Sequence, residues 1–495
     1  MTRTRAGGIR RLLGAVVRAV VYGCVGGFVV LVVVLVTYLE GRVDLSVWHE
    51  AKLDAEFTHR SGVDTLAEYQ ALEDALFAQL QERVRARIDD DERRLFNRYH
   101  AGSRSDPETW SPNWNRTFEL VAERPVAGVL LLHGMSDSPY SMRGLAQRLH
   151  AAGAHVVGLR LPGHGTAPSG LVRVRARDMI AASRLGVRHL HSVVGERPLY
   201  IIGYSTGGAL GVLYALDSLE DAALPPLDGL ALMSPAVGVT PVAALAIWQA
   251  RLGHLLGLRK LSWNSILPEY DPFKYNSFAV NAGDQVYRMT AEIHAKLDAD
   301  GAAERLRDFP PVLAFQSVVD ATVSTPALVE GLLDKLPQGD HELVLFDVNR
   351  LTEAERLLAV NPRAAIAAEV ADLTRPYTLS LITNLDGDTA AVVVRQRPPG
   401  TQMAEEVPLG LAWPQGVYSL SHVAIPFAKD DPLYGGIAVP AGTGLWLGEL
   451  ALRGERGVLQ IPASDMLRQR WNPFFPYLEQ RVLRFVGAGG GGAVP

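Results

Sequence analysis

Residues 199–208, Leu-Tyr-Ile-Ile-Gly-Tyr-Ser-Thr-Gly-Gly, constrain the fold of this chain more than any other stretch. Four apolar, strand-forming residues run into Gly-x-Ser-x-Gly, and a helical run of small and apolar residues follows up to residue 216. This order is typical of a nucleophile elbow, a tight strand-to-helix turn that lifts the Ser205 hydroxyl above the edge of a sheet. Gly203 and Gly207 fit the two places in that turn where a side chain has no room. The alternative is a buried strand with a glycine-rich turn and no catalytic role.

The composition is that of a globular protein. The chain has 495 residues, of which 48% are hydrophobic and 20% charged, enough for one large domain with additions. Its formal net charge of −5 is not clustered, and this balance does not favour a nucleic-acid partner. Cys24 is the single cysteine, which rules out an intrachain disulfide, and no Cys/His cluster has the spacing of metal ligands.

The N-terminal segment predicts a membrane anchor. Residues 19–39 carry no charge, and a helix needs roughly 20 residues to cross the hydrocarbon core of a bilayer. Arginines precede this span and the first acid is Glu40, so residues 1–18 should be a cytoplasmic basic segment and the rest should lie outside. No Ala-x-Ala-like site follows the apolar run, which favours an uncleaved single-pass helix over a signal peptide.

Residues 40–112 are expected to form a juxtamembrane helical segment. Apolar residues recur at three- and four-residue steps, so the sequence predicts a helix over residues 48–88. Turn residues over 102–112 mark the entry to the main domain, residues 113–486. The segment should pack against that domain; a role at a membrane surface or in binding a partner is the alternative.

From residue 117 onward, short apolar runs alternate with helical ones. This alternation predicts a mostly parallel sheet with helices on both faces. The predicted strands are 117–121, 126–132, 155–159, 199–202, 229–233, 312–315 and 342–346, and the predicted helices are 142–151, 176–194 and 327–336.

Three motifs together resemble a known family. An apolar strand ending in His133-Gly134 is followed by Leu-Pro-Gly-His-Gly at 161–165 and then by Gly-Tyr-Ser-Thr-Gly at 203–207. This set resembles the monoacylglycerol-lipase and serine-aminopeptidase branch of the α/β-hydrolase superfamily. The likeness is good over residues 117–236, moderate at the strand that should carry the acid, and absent from the N-terminal segment.

The resemblance implies an α/β-hydrolase fold and assigns several positions. The backbone amides of Met135 and Thr206 would form the oxyanion hole, with Gly203 and Gly207 completing the elbow. Residues 235–308, aromatic and apolar, would form a cap over the active site. The alternative for that segment is a helical insertion that packs on the sheet without touching substrate.

The catalytic acid is expected just past the strand at 312–315. Asp320 follows this strand, and the family pattern also carries an aspartate there; Asp347, after the next strand, is the alternative. Of the histidines after Ser205, His254 and His294 precede the acid, and His341 begins its strand and so should lie at the wrong edge of the sheet. His422 remains as the predicted base.

The distance from acid to base departs from the family pattern. Because 102 residues separate Asp320 from His422, residues 351–409 should be an insertion. Two strand-like runs within it, 377–383 and 390–395, predict a β-hairpin that either extends the sheet or covers the cleft. Residues 468–486 are predicted to form a closing helix, and 487–495 a disordered tail.

These expectations combine into one function. The sequence predicts a membrane-anchored serine hydrolase outside the cytoplasmic membrane, periplasmic or extracellular, which uses Ser205, His422 and Asp320 and no cofactor or metal. The family resemblance implies carboxylic esters, lipid-like or monoacylglycerol-like, as substrates. An aminopeptidase-like peptidase is one alternative, although no acid in the cap is an obvious ligand for a substrate amino group. A non-catalytic scaffold with a hydrolase fold is the other.

Overall fold

The computed structural model describes residues 4–238, 258–351, 374–402, 405–438, 444–449 and 461–488, together with residues 367 and 372. Its strands are β1 (Phe118–Leu120), β2 (Gly128–Leu132), β3 (His155–Leu159), β4 (Leu199–Tyr204), β5 (Gly229–Met233), β6 (Trp263–Ser265), β7 (Phe278–Ala279), β8 (Val312–Ser317), β9 (Glu342–Phe346), β10 (Thr378–Asn384), β11 (Ala391–Arg397) and β12 (Glu405–Ala412). Its helices are α1 (Thr4–Glu40), α2 (Val47–Glu50), α3 (Leu66–Arg83), α4 (Tyr140–Ala151), α5 (Ala176–Val194), α6 (Thr206–Ser218), α7 (Val280–Leu297), α8 (Ala302–Arg305), α9 (Thr325–Gly331), α10 (Ala463–Met466) and α11 (Phe475–Phe485).

A ten-stranded, mostly parallel sheet organises the domain in the order β1-β3-β2-β4-β5-β8-β9-β10-β11-β12. Neighbours from β3 to β10 run parallel, whereas β1 at one edge and β11 and β12 at the other are antiparallel to their neighbours. Every residue of β2, β3, β4, β5, β8 and β9 is buried. Their near-continuous apolar sequences are those of a parallel sheet covered on both faces.

Helices cover the two faces of the sheet. Buried side chains of α5, α6, α7 and α9 join the core on one face. Those of α4 and α11 join the core on the other face. Strands β3, β5 and β9 and helix α5 have the predicted bounds, and the other predicted strands and helices occur within a few residues of theirs.

The N-terminal segment is less helical than its periodicity predicts. The predicted single helix over 48–88 is wrong, because the structure contains α2, α3 and a short 3-10 helix at Arg85–Arg87, with a non-helical stretch of turns between α2 and α3. Helix α3 starts anew at a capping box, in which Thr65 Oγ1 accepts from the Glu68 amide at 3.2 Å and the Glu68 carboxylate accepts from the Thr65 amide at 3.1 Å. The closing helix α11 likewise begins at Phe475 rather than at 468.

An ion-pair cluster joins this segment to the end of β3. Arg160 is 1% exposed, and its guanidinium donates to Glu56 at 2.8 Å and to Glu73 at 2.9 Å. Glu73 also accepts from the Thr117 hydroxyl at 2.6 Å. Since Glu56 lies in the non-helical stretch before α3, the break in the predicted helix brings this carboxylate to Arg160.

Arg160→Leu is expected to lower the free energy of unfolding by about 3–5 kcal/mol, because it leaves the buried Glu73 carboxylate without its cation. Urea unfolding followed by circular dichroism measures the loss. The double variant Glu73→Leu/Arg160→Leu should recover part of it, because the unpaired charge is then absent as well. A loss below about 1 kcal/mol in the single variant would contradict this account of the cluster.

Helix α1 contains the predicted membrane span, residues 19–39, although the side chains of residues 31, 32 and 35 lie outside the described ones. Among the described residues, no helix combines the length and the apolar character needed to cross a membrane. The structure therefore does not support the predicted transmembrane helix.

The predicted insertions are described only in part. Residues 239–257 of the predicted cap and most of 352–373 lie outside the described residues, as does the tail from 489 onward. The described part of 235–308 contains the two-stranded sheet of β6 and β7 and helix α7. The predicted hairpin is present as β10 and β11, and it extends the sheet, because β10 pairs in parallel with β9.

Candidate active site

Ser205 occupies a strained turn between β4 and α6. Its backbone has φ 53° and ψ −113°, a conformation that residues other than glycine rarely adopt. A backbone hydrogen bond ties this turn to the end of β5, because the Ser205 amide donates to Met233 O at 2.9 Å. A Cβ on Gly203 would lie 2.4 Å from the Gly207 carbonyl, and one on Gly207 would lie 2.1 Å from Leu132 O. The turn therefore requires glycine at both flanking positions, as the sequence predicted.

The loop after β2 approaches the same end of the sheet. Met135 is buried, and the next residue, Ser136, has φ 68°. His133 orders this loop: its Nδ1 contacts Gly134 O at 2.9 Å, and its Nε2 accepts from the Leu161 amide at 3.0 Å. Burial, and secondarily His164, lowers the pKa of His133 well below its ordinary value. His133 is thus a neutral residue that orders the loop.

Asp320 and His422 meet past the carboxyl ends of β8 and β9. His422 Nδ1 lies 2.8 Å from Asp320 Oδ2, and the Asp320 side chain is fully buried. Asp320 Oδ1 accepts from the amides of Thr322 at 2.8 Å and Val323 at 3.0 Å. Burial alone would raise the pKa of Asp320, but the contacts with His422 and these amides lower it below its ordinary value. The carboxylate is therefore ionised and fixes the orientation of the imidazole.

His422 reaches this edge although it follows a long insertion. Ser317 at the end of β8 donates its hydroxyl to Leu420 O at 2.8 Å, which ties the histidine segment to the sheet. The Tyr204 and His422 rings lie 5.2 Å apart, so the histidine is next to the residue that precedes Ser205. Within the described part of the chain, the Ser205 hydroxyl forms no hydrogen bond.

The alternative acid and the alternative histidines that the structure describes form hydrogen bonds with other groups. Asp347 accepts from the Val348 amide at 2.8 Å and the Thr383 hydroxyl at 2.6 Å, and it pairs with Arg350 instead of a histidine. His341 accepts from the Val312 amide at 3.1 Å, at the amino ends of the strands, as the edge argument predicted. His294 contacts Val237 O at 2.8 Å, and His254 lies outside the described residues.

A cavity of about 200 Å³ lies beside these groups. Ser136 and Val423, the neighbours of Met135 and His422 in the chain, both line it. A larger cavity of about 1090 Å³ shares Leu267, Tyr270 and Ile461 with it, and neither cavity is lined by Ser205, His422 or Asp320.

Several residues of the smaller cavity were not predicted from the sequence. Lys274 pairs with Asp137 at 2.8 Å, and Arg468 and Arg470 line the same space. Asp271 of the predicted cap also lines it, although no acid in the cap was an obvious ligand for a substrate amino group from the sequence. The run Arg-Gln-Arg shortly before the final helix was the one available signal, and it is common on protein surfaces.

One group of side chains has the chemistry of a metal site, far from Ser205. His155 and His189 each place Nε2 at 2.7 Å from Glu119 Oε1. The three residues lie on β1, β3 and α5 and are too far apart in sequence for spacing to reveal them. Their side chains form a hydrogen-bonded group that has no part in the site at Ser205.

Comparison with known proteins agrees with this geometry. The family model described as serine aminopeptidase, S33, matches residues 123–347, which include Ser205 and Asp320 and end before His422. A thermostable monoacylglycerol lipase of Bacillus sp. (strain H-257) is 29% identical over 179 residues, 36% of this chain and 68% of that protein. Phospholipase YtpA of Bacillus subtilis (strain 168) is 27% identical over 152 residues, 30% of this chain and 51% of that protein.

Among solved structures, the monoacylglycerol lipase of Paleococcus ferrophilus overlaps 47% of this chain and 88% of its own, with 19% identity and a TM-score of 0.35. The parallel sheet, the elbow and the family match are the evidence that classifies the chain. The chain has an α/β-hydrolase fold and is an ester-hydrolysing enzyme.

Proposed function

We propose that the chain cleaves carboxylic esters through a Ser205–His422–Asp320 triad and an acyl-enzyme. The observation that carries this proposal is the 2.8 Å contact between His422 Nδ1 and the buried Asp320 carboxylate, at the edge where Ser205 is held in its strained turn. His422 Nε2 takes the Ser205 proton as the oxygen attacks the ester carbonyl, and it then protonates the leaving alcohol. Water, activated by the same nitrogen, releases the acid and regenerates Ser205.

The Met135 and Thr206 amides would bind the oxyanion of the tetrahedral intermediate. Thr206 begins α6, whose first amides have no partner within the helix and carry the positive end of its dipole. The hydrogen bond from the Ser205 hydroxyl to His422 is expected to form when substrate fills the site, because catalytic hydrogen bonds often tighten only in the substrate complex.

Lipid-like substrates are the proposed class. The two curated relatives are named as a monoacylglycerol lipase and a phospholipase. The cavity beside the site borders a second, larger one lined by Trp48, Phe96 and Leu445 among others, which suits an acyl chain.

Labelling by a fluorophosphonate probe tests the triad. The wild-type protein should label, and Ser205→Ala and His422→Ala should lose labelling, because the serine is then absent or no longer activated. His341→Ala is the matched control and should still label, since His341 lies at the opposite edge of the sheet. A folded wild-type protein that does not label would make the non-catalytic scaffold the leading interpretation. Labelling that survives His422→Ala but not His341→Ala would overturn the choice of base.

An aminopeptidase is the second candidate, because the family model carries that name and Asp271 lies in the adjoining cavity. Asp271 is already supplied with donors, however: the Tyr434 hydroxyl lies 2.7 Å from each of its oxygens, and the Phe273 amide lies 3.0 Å from Oδ1. We therefore rank the aminopeptidase below the esterase as the proposed function. Release of aminocoumarin from aminoacyl substrates at a rate matching ester hydrolysis would reverse that order.

The location predicted from the sequence remains a proposal. Anchorage by residues 19–39, with the hydrolase domain outside the cytoplasmic membrane, would bring the enzyme close to lipid substrates. Proteolysis of intact cells or spheroplasts tests it, because an outside domain is degraded and an inside domain is protected.

A further inference from the structure

Two arginines, Arg468 and Arg470, line the cavity beside the catalytic groups, and neither forms an ion pair with a residue that the structure describes. Arg470 Nη2 reaches the Tyr270 hydroxyl at 3.5 Å, the outer limit of a hydrogen bond, and its Nε is buried with no partner. Arg468 forms no hydrogen bond or ion pair with any described residue. A guanidinium carries five N–H donors, so most donors of these two groups have no partner among the residues that the structure describes.

The arginines are held in place by the histidine segment itself. Ser421 donates its hydroxyl to Gln469 O, between the two arginines. The Asn472 amide donates to Phe427 O at 2.8 Å, and its side chain donates to Ile425 O at 3.3 Å. These bonds fix residues 469–472 against the loop that carries His422, so the two cations have a set position relative to the reacting ester.

The acidic side chains of the cavity do not neutralise these cations by contact. Asp137 pairs with Lys274 at 2.8 Å, and Asp271 accepts from Tyr434. Asp465 also lines the cavity and forms no ion pair with Arg468 or Arg470 among the described residues. Burying a cation is costly unless it is paired, and planar guanidinium groups are well suited to bind phosphate or carboxylate.

We propose that Arg468 and Arg470 form a subsite for an anionic group, phosphate or carboxylate, on the part of the substrate next to the scissile ester. This inference rests on the proposed function and adds a substrate class to it: esters of an anionic alcohol rather than neutral ones. Phosphate and carboxylate can accept from the same N–H donors. Substrates that carry one or the other therefore show which of the two groups the subsite binds.

Three esters with the same medium-length acyl chain test the subsite: a monoacylglycerol, its 3-phosphate, and the matching acylglycerate, whose carboxylate replaces the phosphate. The wild-type kcat/KM for at least one anionic ester should exceed that for the neutral ester by about tenfold or more. Arg468→Gln and Arg470→Gln should each reduce that preference by about tenfold or more. Arg470→Lys keeps the positive charge but not the planar, bidentate guanidinium, so it should retain part of the preference for the anionic ester.

Arg307→Gln is the matched control, because Arg307 is exposed and paired with Glu304 at 2.7 Å, outside the cavity lining. It should leave the preference unchanged. A wild-type protein that cleaves the neutral ester as well as both anionic ones would overturn the subsite, as would a preference that survives both glutamine variants. If Arg470→Gln does not fold, the effect of Arg468→Gln on the preference for the anionic ester tests the subsite.

A binding measurement separates failure of the subsite from failure of the proposed function. Calorimetry of the Ser205→Ala protein gives Kd for the same three esters without turnover. If the wild-type protein cleaves none of them, the proposed function fails, but tighter binding of an anionic ester that is lost in Ser205→Ala/Arg468→Gln still supports the subsite. Equal Kd values for all three esters would overturn the subsite whatever the activity.

Discussion

Asp320→Asn is expected to lower kcat for ester hydrolysis by about 10⁴-fold in a protein that still folds. The asparagine amide has nearly the same shape as the carboxylate, but it cannot stabilise the imidazolium, and its NH₂ group favours the wrong tautomer of His422. The Asp320 oxygen that contacts His422 lies at 2.8 Å and is buried, so water cannot replace it. Steady-state kinetics with a short-chain nitrophenyl ester measure the effect, and circular dichroism checks the fold.

Asp347→Asn is the matched control, because Asp347 is equally buried but pairs with Arg350 and Thr383. This variant should lose stability while the folded fraction keeps its kcat. A loss of activity in Asp320→Asn of less than tenfold, or a larger loss in Asp347→Asn, would mean that the acid has been misassigned.

Gly207→Ala is expected to cost about 4 kcal/mol or more of folding free energy, with activity lost in the same variant. The added methyl group would lie 2.1 Å from Leu132 O, and its obstacle is the backbone of β2, which cannot rotate away as a side chain could. Relief requires α6 to move away from the sheet, and that movement would displace the Thr206 amide. Urea unfolding measures the loss.

Gly283→Ala in α7 is the comparison, because a Cβ there meets no atom within 4 Å. It should stabilise the protein by about 0.5–1 kcal/mol, since alanine loses less backbone entropy than glycine in a helix. If the two variants were equally stable, the crowding at the elbow would not be what requires glycine there.

The catalytic core could be predicted because its sequence signals are local. Buried parallel strands appear as continuous apolar runs, and the elbow needs glycine on both sides of Ser205 for steric reasons that hold in any chain. The choice of His422 over His341 also followed from local sequence, because His341 begins a strand whereas His422 follows an apolar segment. The structure pairs His422, and not His341, with Asp320.

The remaining features depend on contacts that no local pattern contains. Apolar periodicity over 48–88 shows which residues face the core, but it does not show the break before Thr65 that places Glu56 against Arg160. The group of Glu119, His155 and His189 and the arginines beside the active site arise from the order of strands in the sheet. Distant segments come together there without a sequence spacing to indicate it.

The attachment of the histidine segment also bears on how this enzyme is made. The elbow is complete once β5 has been synthesised, but Asn472, which secures the His422 loop, is added 267 residues after Ser205. If Ser205 and His422 have their proposed roles, a nascent chain carries its nucleophile through most of translation without a fixed base to activate it. Esterase activity should appear only when nearly the whole polypeptide has left the ribosome, so an incomplete chain cannot attack cellular esters.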